Sequence, residues 1–139
     1  MKKFRKKYLN QALEKINFKE LTEVQEKVYE LDKQNRNLIV EAKTGSGKTH
    51  AYLLSILDNL DEFSNDCQAI ILAPTRELAN QINKFLRELT DVSPKEIKVD
   101  LITGGIDRDQ AVNKLTSRQP DILIGTPGRI LIWSLKKMH

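Results

Sequence analysis

The sequence is poor in cysteine, with one residue, Cys67, among 139. A single thiol cannot staple the fold, and a reducing, cytoplasmic setting fits that usage. Long apolar runs are missing too. No stretch approaches the roughly 20 residues needed to cross a bilayer, so no membrane partner is expected. The opening "MKKFRKKYLNQ" has a basic front with no apolar core behind it and does not read as a secretory signal. Internal repeats and low-complexity segments are also absent.

What is present is an ordinary globular balance, 40% hydrophobic and 30% charged, over a length that suits one domain with a real core. The formal net charge is +4. That excess favours a polyanionic partner, because clustered Lys and Arg displace counterions from phosphates. Lys2, Lys3, Arg5, Lys6 and Lys7 form the densest cluster. A solvated terminus is the plainer reading of such a run.

Apolar residues recur at helical spacing at Leu9, Leu13 and Ile16, and again at Val24, Val28 and Leu31 after Thr22 as a cap. "NLIVEA", Asn37 to Ala42, is a short apolar run ending in a glycine turn and reads as a buried strand. A helix follows, reaching about Leu60. The unit then recurs. Strands are expected at Gln68 to Pro74, Ile97 to Thr103 and Asp121 to Thr126. Helices are expected from Thr75 to Leu89, from Asp107 to about Leu115, and from Pro127 onward. Loops fall at "DEFSND", "DVSPKE" and "SRQP". Alternating strands and helices imply an α/β fold with a mainly parallel sheet covered by helices. Each strand ends in a turn bearing Gly45, Pro74, Gly104 or Pro127. Ligands of such sheets bind at the carboxyl ends of the strands, so one shared binding edge is expected.

Between the first expected strand and helix stands "AKTGSGKT", Ala42 to Thr49, which fits the phosphate-loop pattern. Gly45 and Gly47 permit backbone angles that turn successive N–H groups toward an anion. The following helix adds its N-terminal partial positive charge. Lys48 can reach β- and γ-phosphates, and the Thr49 hydroxyl can ligate magnesium. Ala42, Lys43, Thr44, Gly45, Ser46, Gly47, Lys48 and Thr49 are therefore the candidate nucleotide cradle. His50 reads as a helix-face residue.

Further motifs follow in order: "PTRELANQ" from Pro74, "TGG" from Thr103 and "TPGR" from Thr126, with Gln25 upstream in "NFKELTEVQ". Together with the phosphate loop, they resemble the first RecA-like domain of a DEAD-box ATP-dependent RNA helicase, from about Phe18 onward. The resemblance implies ATP and magnesium as cofactors and RNA as the partner. Phe18, Thr22 and Gln25 match the motif that reads adenine, a task suited to an amide that both donates and accepts. The family's proline before that threonine is Leu21 here. An upstream aromatic packs near the base in the family, and Phe4 and Tyr8 are both open for that role. Pro74, Thr75, Arg76, Glu77, Gly104, Gly105, Thr126, Pro127, Gly128 and Arg129 match turns that grip one RNA strand by its backbone. Their chemistry suits the role: forked arginine donors, hydroxyls at helix starts and glycines that permit close approach, with no base-reading code.

The acidic motif that names the family is not found in these residues. Asp61-Glu62 follows a helix and Asp100 lies inside an expected strand, so neither substitutes. The resemblance thus implies an N-terminal piece of the first RecA-like domain, three-layered and incomplete on its C-terminal side. It divides into a helical region at 1–36 and βα repeats at 37–139, and the second RecA-like domain is absent. Such a piece is expected to bind nucleotide and RNA without hydrolysing ATP alone. The implied sheet order is "NLIVEA", "DILIGT", "QAIILAP", "IKVDLIT", with the first strand an exposed edge prone to self-association. Two other readings stand beside the helicase. One is a nucleotide-gated RNA clamp that does not unwind. The other is a small phosphate-loop kinase or GTPase, which leaves Gln25 without a role and finds only "NKLT" at Asn113 where a guanine-reading motif is required. Trp133 and Cys67 read as packing residues.

Overall fold

The computed structural model describes residues 3–103 and 119–137. Contacts divide the chain into two compact units, Met1–Leu60 with Leu86–Pro94, and Asp61–Phe85 with Lys95–His139.

In the first unit, helix α1 (Lys7–Lys15) buries Tyr8, Leu9, Ala12 and Leu13 on one stripe. It ends where the Phe18 N–H donates back to the Leu13 carbonyl at 2.8 Å. That closure needs a left-handed residue, and Asn17 supplies it at φ 66°. Helix α2 (Glu23–Asp32) opens on a complete capping box between Thr22 and Gln25. Helix α3 (Lys48–Asp58) buries Leu53, Leu54 and Leu57 to 2% exposure or less. Each such leucine contributes about 2 kcal/mol relative to an exposed one. Helices α2 and α3 pack on each other. The last turns of a later helix, α4 (Arg76–Thr90), add the fully buried Leu86 and Leu89 to this unit.

The second unit holds β1 (Ala69–Leu72), β2 (Val99–Ile102) and β3 (Ile122–Gly125), followed by helix α5 (Pro127–Lys137). The strands pair in parallel in the order β1-β3-β2. Ala69 and Val99 both lie opposite Ile122, and Leu72 and Ile102 both lie opposite Gly125. Ile102, Leu123 and Ile130 form a core cluster against which Cys67 and Trp133 pack, as expected for both. Gly125 is required where it stands. A Cβ there would come within 2.6 Å of the Ile102 carbonyl and 2.9 Å of Ile130.

Two expectations are corrected. The segment from Asn37 to Ala42 is not a strand. Ile39 is fully exposed and Val40 is 44% exposed, and no described strand pairs with them. Apolar composition makes a segment competent for a sheet, but only a neighbouring ladder makes it a strand. The lateral order also differs, because the strand of "DILIGT" lies between the other two described strands. The burial pattern explains this: all four residues of β3 are buried, whereas Ile70 and Leu72 of β1 are half exposed. A strand covered on both faces belongs in the middle. The helix expected from Asp107 to Leu115 lies outside the described residues.

The solvated terminus expected for the basic run holds for the exposed Lys7 but not for three of its described neighbours. Lys3, Arg5 and Lys6 are all bonded to residues of the first unit.

Candidate functional site

The phosphate loop and the glutamine of α2 meet within the first unit. The Thr22 hydroxyl donates to the Ser46 carbonyl at 2.9 Å, and Gln25 Nε2 donates to the Gly47 carbonyl at 3.3 Å. The Thr22 N–H in turn donates to Gln25 Oε1 at 3.0 Å. The capping box that starts α2 therefore also holds the loop. Gln25 is buried to 3% exposure. An amide carries two N–H donors and two acceptor lone pairs, and these bonds use one of each. One donor and one lone pair remain.

Gly45 and Gly47 have φ of 85° and 90°, so both sit in the left-handed region as the loop pattern requires. At Gly47 a Cβ would also collide with the Gln25 side chain and lie 3.2 Å from the Thr22 hydroxyl. Ser46 closes the turn, with its N–H and hydroxyl both donating to the Lys43 carbonyl at 3.2 and 2.6 Å. Lys48 and Thr49 open α3, half-buried, and the Lys48 ammonium donates to the Ala42 carbonyl. Thr44 and Lys43 are exposed. Among the described residues no group of three His, Cys, Asp or Glu could hold a metal ion. A magnesium ion here would depend on phosphate oxygens, with Thr49 as its protein ligand.

Phe18 packs its ring against His50, centroids 4.9 Å apart. Burial lowers the pKa of His50, and the charge of Glu88 opposes that shift. Phe4 and Gln25 line one cavity of about 490 Å³, whereas Tyr8 is buried within α1 and does not line it. Of the two open aromatics, Phe4 is the one placed beside Gln25. The two residues are 21 apart in sequence, and their sharing of one cavity carries no local signal.

The RNA-turn candidates lie in the second unit, at the carboxyl ends of paired strands. Ala73 N–H donates to the Gly125 carbonyl at 3.0 Å, which brings the turns after β1 and β3 side by side. Thr75 caps α4 by accepting the Leu78 N–H at 3.2 Å. Pro74, Thr75, Arg76 and Glu77 are exposed. Pro127 and Gly128 are exposed, and Thr126 and Arg129 are half-buried at the start of α5. Gly104 and Gly105 lie outside the described residues.

Comparison with known proteins gives a consistent likeness. A family model described as DEAD/DEAH box helicase matches residues 22–139. The DEAD-box ATP-dependent RNA helicase CshB of Listeria monocytogenes is 43% identical over 123 residues, covering 88% of this chain and 28% of that protein. A hypothetical ATP-dependent RNA helicase from Sulfolobus tokodaii superposes with a TM-score of 0.80 at 34% identity, over 95% of this chain and 37% of that one. The RNA helicase Prp28 from Chaetomium thermophilum, solved bound to ADP, superposes with a TM-score of 0.79 at 34% identity, over 94% of this chain and 32% of that one. The chain thus spans less than a third of the length of the CshB relative. These neighbours are RecA-like helicase domains, and the three described strands are part of such a sheet.

Proposed function

The chain belongs to the DEAD/DEAH box helicase family, and from that premise we propose that it is the nucleotide- and RNA-gripping part of an ATP-dependent RNA helicase. The observation that carries this reading is the bond from Gln25 to the Gly47 carbonyl, which joins a base-reading amide to a phosphate loop in one unit.

In this reading, ATP supplies the phosphoanhydride whose cleavage drives the cycle, with magnesium neutralising charge on its phosphates. The chain's own groups do the holding. Lys48 and the loop N–H groups bind the phosphates, Thr49 ligates the metal, and Gln25 offers its remaining donor and lone pair to adenine. Phe18, packed on His50, and Phe4, in the Gln25 cavity, border the base. Arg76 and Arg129 offer forked donors to an RNA backbone, while Thr75 and Thr126 offer hydroxyls at helix starts. Contacts of this type position a strand without reading its sequence. The setting is cytoplasmic. No helix among the described residues is long and apolar enough to cross a membrane.

The experiment is binding of labelled oligouridine RNA across a salt series. Arg76→Ala/Arg129→Ala should weaken binding and reduce the salt slope by about 2, one for each lost phosphate contact. An unchanged slope would place the RNA elsewhere. A strand-displacement assay on the protein carrying this chain separates an unwinding motor from a nucleotide-gated clamp, the second reading.

We also propose that the 139-residue chain self-associates through its exposed apolar segment, given the exposure of Ile39 and Val40.

A further inference from the structure

The segment Lys3–Lys6 has no role in nucleotide or RNA binding as described, apart from Phe4. It is nonetheless bonded to two helices at once. On the α2 side, the Tyr29 hydroxyl donates to the Lys3 carbonyl at 2.7 Å, and the Lys3 ammonium pairs with Glu26. The Phe4 ring meets Tyr29 edge-on, centroids 5.4 Å apart and planes at 85°. On the α3 side, the Lys6 N–H donates to Asp58 Oδ1 at 3.0 Å, and the Arg5 guanidinium lies 3.7 Å from the same carboxylate. The Lys6 ammonium also donates to the Leu60 carbonyl just beyond α3, at 2.8 Å. Phe4 and Asp58 are only 8% and 9% exposed. A carboxylate so buried is held by its partners, since an unmatched one would be costly.

These two helices bring the nucleotide groups together. Helix α2 carries Gln25 in its first turn, and α3 begins at the last residues of the phosphate loop. At the far end of the pair Asn59 donates to Asp32 at 2.7 Å, whereas at the nucleotide end the bond from Gln25 to Gly47 is long at 3.3 Å and weak by itself. Between them lies the cavity of about 490 Å³, lined by Gln25 and Tyr29 from α2 and Ala51, Ser55 and Asp58 from α3. The two helices pack on each other, but that packing is interrupted around this cavity, close to Gln25.

We propose that Lys3–Lys6 is a strap, anchored on Tyr29 and Asp58, that holds α2 against α3 and so keeps Gln25 in register with the phosphate loop. Tyr29 and Asp58 are then positioning residues for base selection, acting through the strap and Gln25. The inference rests on the proposed reading of Gln25.

The test compares calorimetric affinities of ADP, GDP and inorganic pyrophosphate for the chain and for Tyr29→Phe/Asp58→Ala. The strap predicts that ADP weakens by roughly tenfold, about the loss of one hydrogen bond between Gln25 and the base. The ADP-over-GDP preference collapses while pyrophosphate affinity is unchanged. A merely structural role would leave that preference intact or lower all three affinities together, and either result overturns the strap. Should the double variant fail to fold, Tyr29→Phe/Asp58→Asn keeps the side-chain volumes and should show a smaller loss of the same preference. Its retention there also overturns the proposal. If the unaltered chain shows no preference for ADP, the reading of Gln25 is wrong and the strap falls with it.

Discussion

At the scale of single residues, Gly47 is the most constrained position in the candidate site. Its φ of 90° excludes most side chains, and Gln25 and Thr22 occupy the space a Cβ would enter. Gly47→Ala should therefore cost about 1–3 kcal/mol in urea unfolding and also displace Gln25. A midpoint equal to that of the unaltered chain would show that the loop adapts freely. Cys67 gives a pH-dependent prediction. Burial is the main cause that pushes its thiol pKa up, and the charges of Asp121 and Asp100 add to it, against a smaller opposing effect from the Ala69 backbone. The thiolate is the disfavoured form, so alkylation by iodoacetamide should rise with pH only above the range of an unfolded cysteine. In urea the rate profile should move to lower pH. A folded chain that reacts as fast as the unfolded one near neutrality would contradict this. The loop glycines, Lys48, Thr49 and the Thr22 cap were legible because each is a local pattern with a local physical cause. The bonds of Lys6 to Asp58 and Arg5 to Asn59 were not, since they join residues 52 and 54 apart in sequence.

At the scale of elements, helices were easier to read than strands. The stripe of Ile82, Leu86 and Leu89 on α4 is a property of that segment alone, and all three are buried to 3% or less. A strand depends on its neighbours. "NLIVEA" and "DILIGT" look alike in composition, yet one is exposed and unpaired while the other is the fully buried centre of the described sheet. Lateral order was likewise invisible, because β-propensity does not specify a partner. Thr22 links local and tertiary structure: its hydroxyl caps α2 and also donates to Ser46. Thr22→Ala should cost about 1 kcal/mol for the cap alone. A loss of ADP affinity beyond any effect of Thr22→Ser would report the bond to the phosphate loop, and equal losses in the two variants would argue against it.

At the scale of the whole molecule, two properties of the 139-residue chain can be tested. Ile39→Lys should lower the weight-average mass in light scattering at high concentration if the exposed segment drives association. A monomeric unaltered chain would remove that proposal. ATP turnover by these residues alone should be negligible even with RNA present. Asp61 and Glu62 lie in the loop before β1, and Asp100 lies inside β2, so none of the three stands at the carboxyl end of a strand. A Lys48-dependent release of phosphate would contradict this.

The central claim is that one unit joins a base-reading amide to a phosphate loop. Its most direct test is calorimetric binding of magnesium-ADP and magnesium-GDP to the chain and to Gln25→Ala. The account predicts that ADP binds in preference to GDP and that the preference disappears in the variant. Equal affinity for the two nucleotides, or an ADP preference that survives the loss of Gln25, would contradict it.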